Sequence, residues 1–140
     1  MEELPEALTG RVAFLLQLAL ARAHALGEQA LLDLDLGGRE YGVLALLEHP
    51  AAASQQQLGA TLGIDRTTTM TLLAGLEARG LVRRERDPGN RRAYLVTLTG
   101  AGDELRARAA AVLAECDERF LSPLPPGQRD GLRAALRRLL

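Results

Sequence analysis

SQQQLGATLGIDRTTTMTLLAGLEARGLVRRERDPGNRR, residues 54–92, decides the architecture of this chain. Ser54 is a good N-cap for a short helix through Leu58 to Leu62. Gly63 then makes a turn with Ile64 packing beneath it. Asp65 caps the next helix, where its carboxylate can accept the orphan amides of Thr67 or Thr68. That helix runs to about Arg79, buries Leu72, Leu73 and Leu76, and is stopped by Gly80. Leu81–Arg86 alternates weakly and Ala93–Leu98 alternates better, with the strong turn signal Asp87-Pro88-Gly89-Asn90 between them. The result is two helices joined by a tight turn, then a hairpin with an arginine-rich tip.

On either side the pattern is helical. Leu8, Val12, Leu15, Ala19, Ala23, Leu26 and Ala30 recur at helical spacing and predict a long helix over 4–32. Leu16, Leu18, Leu20, Ala21 and Ala25 leave its other side short of polar surface, so it wants partners on more than one side. The two glycines within Asp33–Gly38 break the pattern, and a helix over Arg39–Glu48 follows, ended by Pro50. Thr99 caps a further long helix with a stripe of Leu105, Ala109, Val112, Leu113, Cys116 and Phe120. Three prolines in Ser122–Gly127 interrupt it, and 128–140 form a last amphipathic helix. The expectation is a mostly α fold with a small β-hairpin wing, a winged helix-turn-helix, in one unit over 1–140. Residues 39–99 form the winged lobe, and 4–32 with 103–140 are dimerisation helices.

Leu and Ala supply the apolar mass, as a helical protein requires, and 140 residues suit one modest core. No apolar run reaches membrane-spanning length and no signal peptide is evident, so a cytoplasmic protein with no membrane partner is expected. The lone Cys116 excludes an intrachain disulfide, and its place on an apolar stripe favours a buried thiol over a redox sensor. His24 and His49 have no clustered ligands, so no metal site is expected. No catalytic constellation or phosphate loop appears; the chain reads as a non-enzyme without cofactor. The net charge of −1 is unpromising for a nucleic-acid binder, but its distribution is not. Residues 1–48 carry eight acids against three arginines, whereas 79–92 carry six arginines against Glu85 and Asp87. Lysine is absent, so every basic side chain is a planar fork suited to phosphate and base edges.

The ordered set Leu58, Leu62-Gly63-Ile64-Asp65-Arg66-Thr67-Thr68, Leu76-Glu77, Arg79-Gly80-Leu81-Val82, Asp87-Pro88, Arg91-Arg92, Leu98-Thr99 and Gly102 strongly resembles the MarR family of bacterial transcriptional regulators. The resemblance implies a homodimer with interlocked terminal helices that sets two winged helices on a pseudo-palindromic double-stranded operator. It further implies a repressor released by a small aromatic or apolar effector. The sequence departs from the family at Asn90, where a second wing acid is frequent, and at Thr71 and Gly75, where many relatives carry basic residues.

The candidate DNA-binding residues are Ser54 and Gln55 at the first helix start, Arg66, Thr67, Thr68 and Thr69 at the second, and Arg83, Arg84, Arg86, Arg91 and Arg92 on the hairpin. Each has a competing structural role: capping for the threonines and Ser54, a solvated face for the strand arginines. Arg91 and Arg92 are the strongest, because a hairpin tip has no structural need for adjacent like charges and a minor groove compensates them. Arg91 is assigned to the groove by resemblance. Asp87 and Asn90 are expected to support the wing, Asp87 by orienting an arginine, and His24 is a candidate effector-pocket residue. The alternative function is a winged-helix protein-interaction module that does not read DNA; steep salt dependence of duplex binding separates the two.

Overall fold

The computed structural model describes residues 3–48 and 52–140. The elements in chain order are α1 (Glu6–Thr9), α2 (Val12–Leu32), α3 (Gly38–Leu46), β1 (Ala52–Ser54), α4 (Gln55–Leu62), α5 (Arg66–Ala78), β2 (Val82–Asp87), β3 (Asn90–Leu98), α6 (Gly100–Leu121) and α7 (Pro126–Leu139). The expected stop at Pro50, and His49, lie outside the described residues. The chain forms two compact units, one from residues 31–111 and one from 1–30 with 112–140.

The 31–111 unit holds the helix-turn-helix and its sheet. Ser54 caps α4 as expected: its hydroxyl accepts from the Gln57 N–H at 3.1 Å, and the Gln57 side chain accepts from the Ser54 N–H at 2.9 Å. Gly63, at φ 66°, lets the Ile64 N–H reach back to the Gly59 carbonyl and the Gly63 N–H to that of Ala60. Gly80, at φ 72°, closes α5 in the same way, with Leu81 N–H on Leu76 and Gly80 N–H on Glu77. Both stops were readable because a left-handed residue is nearly always glycine. The stop after α2 was not. Asp35, at φ 49°, takes the left-handed position, and Leu36 N–H bonds Leu31. Gly37 and Gly38, expected as helix breakers, instead begin α3, whose first turn is closed by Gly37 N–H donating to Glu40 Oε1 at 2.9 Å.

The hairpin is part of a three-stranded antiparallel sheet in the order β1-β3-β2. β1 was not expected; Ala52–Ser54 is too short to show a period, and it is a strand because it pairs with Thr97, Val96 and Leu95. Val82 and Val96 on the sheet bury with Leu44, Leu47, Leu58, Leu73 and Leu76 into the core of this unit. At roughly 1.5–3 kcal/mol for each such side chain, these residues are the main stabilisation of the lobe. The start of α6 belongs to the same unit. Thr99 Oγ1 accepts from Gly102 N–H at 3.0 Å and donates to the Gly80 carbonyl at 2.6 Å. Arg106 links Glu48 and Asp103 at 3.2 and 3.0 Å.

The other unit takes its residues from the two chain ends. The long helix expected over 4–32 is interrupted: Pro5 opens α1, Gly10 ends it, and α2 starts two residues later. The apolar character anticipated for this segment is left uncovered, with Leu8, Val12, Leu15, Leu16 and Leu20 all exposed. Leu136 and Leu139 on α7 are exposed as well. Cys116 is buried, its thiol 3.5 Å from the Leu26 carbonyl, and Leu113 lies against Gly27. Glu118 is bridged by Arg129 and Arg133 at 3.3 and 2.6 Å, which seats α7 on α6.

Gly102 provides a test of the lobe's packing. A Cβ there would lie 1.9 Å from the Leu81 carbonyl oxygen, whereas one at Gly75 would meet nothing within 4 Å. Gly102→Ala is expected to cost about 3 kcal/mol by overpacking, and Gly75→Ala to gain about 0.5–1 kcal/mol of helix stability. Thermal melts of both variants check this. A Gly102→Ala protein that melts with the parent would remove the close approach as a constraint.

Candidate nucleic-acid interface

One concave surface of the 31–111 unit gathers five of the eleven expected contacts, Ser54, Gln55, Arg66, Thr69 and Arg92. It is a groove of about 1110 Å³ between the start of α4, the start of α5 and the hairpin, lined among others by Ser54, Gln55, Gln56, Arg66, Met70, Asn90, Arg92 and Tyr94. Arg66 and Thr67 are exposed on the first turn of α5. Arg91 and Arg92 are exposed at the hairpin tip, and Arg83 on β2. Among the described residues, Arg66, Arg83, Arg91 and Arg92 have no carboxylate within 4.0 Å, although several other arginines are paired. Of these, Arg66 and Arg92 line the groove, and exposed guanidinium groups there suit a polyanion.

Other expected contacts are committed to holding the lobe together. Thr69 is 2% exposed, and its hydroxyl donates to the Asp65 carbonyl at 2.8 Å. It faces α4, where a Cβ on Gly59 would sit 2.7 Å from Thr69 Oγ1, so its side chain packs the two helices together. Thr68 is half-buried and donates twice to Asp65, through its N–H at 2.8 Å and its hydroxyl at 2.7 Å. These bonds hold the Asp65 carboxyl below the usual aspartate range, the side-chain bond from Thr68 being the larger cause. The Thr68 amide is therefore occupied by the cap rather than open to phosphate.

Arg84, expected as a DNA contact, is engaged within the lobe. Its guanidinium grips Glu77 of α5 through Nη2 at 3.1 Å and Nε at 3.3 Å, and donates to Gln55 Oε1 of α4 at 3.2 Å. The Arg84 N–H adds a bond to the other Glu77 oxygen at 3.1 Å. One side chain thus ties the hairpin to both helices. Arg86 also turns inward: it donates to the Arg91 carbonyl, and its guanidinium lies 5.1 Å from the centre of the Tyr94 ring. Strand alternation explains the division. Arg84 and Arg86 pair with Val96 and Tyr94 on one face, while Arg83, opposite Thr97, lies on the other.

The wing is supported by Asp87 and Asn90, through backbone rather than charge. Asp87 Oδ1 accepts from Gly89 N–H at 2.8 Å and Asn90 Oδ1 from Arg92 N–H at 3.2 Å. The expectation that Asp87 orients an arginine is corrected: its carboxylate holds the turn. His24 is exposed on α2 in the other unit and does not line this groove. Gln56, Met70 and Tyr94 line the main groove and were missed, because which residues of α4, α5 and β3 share it depends on the approach of three elements. Met70 had one local signal, an apolar residue on the polar side of its helix. No group of three or more potential metal ligands occurs among the described residues, and no helix is long and apolar enough to cross a membrane.

Comparison with known proteins adds a third line. The MarR family model matches residues 34–93. A solved MarR-family transcriptional regulator from Rhodococcus sp. RHA1 is 31% identical, with TM-score 0.88 over 96% of each chain. The transcriptional repressor CouR, solved bound to a 23-mer DNA duplex, is 29% identical, with TM-score 0.88 over 99% of each chain. BpsR of Bordetella bronchiseptica, whose DNA binding is regulated by 6-hydroxynicotinic acid, is 29% identical, with TM-score 0.81 over 92% of each chain.

Two experiments test the division of labour among these residues. Thr69→Val should leave the salt dependence of duplex binding unchanged while costing about 0.5–1.5 kcal/mol of stability. Arg91→Ala should melt with the parent, weaken many duplexes alike and lower the salt slope by about one. Loss of duplex affinity without loss of stability in Thr69→Val would return Thr69 to the interface. The second experiment concerns Glu77, held below its ordinary value of 4.5 chiefly by the Arg84 hydrogen bond. A depressed carboxylate adds stability that is present above the unfolded value and lost as pH falls through the folded one. Glu77→Gln should therefore lose stability at neutral pH and show a shallower decline below pH 4.5 in pH-dependent melts. Parallel acid limbs for parent and variant would show that the Arg84 pairing does not set this titration.

Proposed function

The chain belongs to the MarR family, and on that premise we propose that it is a homodimeric regulator of transcription that reads a pseudo-palindromic double-stranded operator as a repressor. Binding of double-stranded DNA is the activity of the lobe. The observation that carries it is the groove between α4, α5 and the wing, edged by Arg66 and Arg92 with Arg91 beside them and no carboxylate pairing any of the three among the described residues. Guanidinium groups on a rigid helix start and a hairpin tip present planar donor forks of the kind phosphate accepts.

Dimerisation is supported by the terminal unit. Val12, Leu15, Leu16, Leu20 and Leu139 are exposed side chains that water penalises, and a second copy of the same surface removes them from it. An interface built from them should exceed about 1,000 Å² in total. Two lobes carried by such a hub read half-sites roughly 34–36 Å apart. Control by a small aromatic or apolar effector is supported by BpsR, which is regulated by 6-hydroxynicotinic acid. An effector acts by binding one arrangement of the dimer more tightly than the other.

Selection of bound duplexes from a random pool, with the oligomer measured by sedimentation at micromolar concentration, tests the reading. An inverted repeat bound by a particle of twice the chain mass is the expected result. A monomer would sink the hub, and no duplex recovered above background at low salt would leave the protein-interaction module. The recovered duplex then serves to screen effectors by displacement.

A further inference from the structure

We propose that α5 recognises its half-site chiefly through thymine methyl groups, with Met70, Thr67 and Thr71 as the residues that set specificity. This rests on the DNA-reading function proposed above and names what is read. The carrying observation is the chemistry of the outward face of α5. Its sequence, RTTTMTLLAGLEA, has one basic residue, Arg66, and neither asparagine nor glutamine. Its single acid, Glu77, is held by Arg84. In the first two turns after that arginine the exposed residues are Thr67, Met70 and Thr71; Ala74, Gly75, Glu77 and Ala78 are exposed further along.

Base pairs are distinguished in the major groove by what their edges offer. Guanine needs a fork donor, which α5 supplies only at Arg66. Adenine is read bidentately by a side-chain amide, which α5 lacks, so its hydroxyls can offer adenine only single bonds. Thymine offers a carbonyl acceptor beside a methyl group, and it alone among the bases rewards an apolar contact. Threonine matches that edge with a hydroxyl and a methyl. Met70 adds a flexible thioether arm between Thr67 and Thr71 on the same face, at helical spacings of three, four and one residues.

Met70 is also an apolar side chain without a partner in its own unit. It is 42% exposed, whereas Leu73 and Leu76, the next apolar residues of its helix turned toward the core, are fully buried. It lines the same groove as Arg66 and Arg92, where Asp87 is also present but engaged with the Gly89 N–H. When α5 enters a major groove its exposed face meets base edges while Arg66 and Arg92 beside it are placed for the flanking phosphates, which commits the occupant to duplex DNA. The hydroxyl of Thr68 and that of Thr69, both engaged with Asp65, take no part.

The test uses the full-length protein and the operator recovered by selection. Each thymine of a half-site is replaced in turn by uracil, which removes the methyl and preserves the hydrogen-bonding edge. The parent protein should lose about fourfold in affinity for each methyl that α5 contacts, at one or more positions repeated symmetrically in the two half-sites. Met70→Ala, Thr67→Ser and Thr71→Ser each delete protein carbon while leaving exposed positions that folding does not depend on. The variant lacking the matching contact should bind thymine and uracil operators equally, a coupling that a double-mutant cycle isolates. A recovered operator that is insensitive to uracil throughout, with its losses falling on 7-deazaguanine substitutions instead, would overturn thymine readout while leaving the regulator intact. Failure to recover any duplex would overturn the DNA-reading function itself, and this inference with it.

Discussion

A missing methyl group seats the recognition helix. At Gly59 the backbone of α4 comes so close to α5 that any Cβ would fall 2.7 Å from the Thr69 hydroxyl. Thr69 fills the space and returns its proton to the Asp65 carbonyl, so the crossing buries no unsatisfied oxygen. Everything that approaches DNA is referred to this contact. Asp65 orders the first turn through Thr68. Leu73 and Leu76 continue the packing down the helix. What remains outward is a narrow face beginning at Arg66.

The hairpin is then tied to that frame by one arginine. Arg84 spends its charge on Glu77 and a further bond on Gln55, joining β2 to the last turn of α5 and the first turn of α4. A flexible wing would lose entropy on every binding event; a wing held by a forked ion pair and a turn stapled by Asp87 and Asn90 has already lost it. The same economy explains why basic residues of one short segment have unlike roles. Arg84 and Arg86 stabilise the lobe, and Arg83, Arg91 and Arg92 are left to face a partner. The near-zero net charge of the chain conceals this, because acids elsewhere balance arginines that are nowhere near them.

The terminal unit presents the opposite problem. Its helices carry more leucine than one chain covers, and the exposed side chains of α1, α2 and α7 mark a surface that a second copy shields. The regulator therefore combines a lobe that satisfies its own polar groups with terminal helices that leave apolar groups exposed. Local order suffices for the first. The second depends on association, which makes the stability of the terminal helices inseparable from chain concentration.

The elements of the lobe were legible in the sequence because each rests on local chemistry. Ser54 and Asp65 cap, Gly63 and Gly80 take positive φ, and Asp87-Pro88-Gly89-Asn90 turns, all through bonds spanning a few residues. The family signature added the interface as a region. Where the partner was distant in the chain, sequence gave no purchase. The stop at Asp35 was hidden because a non-glycine residue took the left-handed position, and β1 because three residues show no period. Tertiary structure alone decided which basic and hydroxyl side chains are free. Thr69 and Thr67 differ by two positions, about 200° around the helix, which puts one against Gly59 and the other in solvent. Arg83 and Arg84 differ by one, which puts them on opposite faces of a strand. Residue type announced that this chain meets DNA; only the packing of α4, α5 and the sheet determined which of those residues remain available to do so.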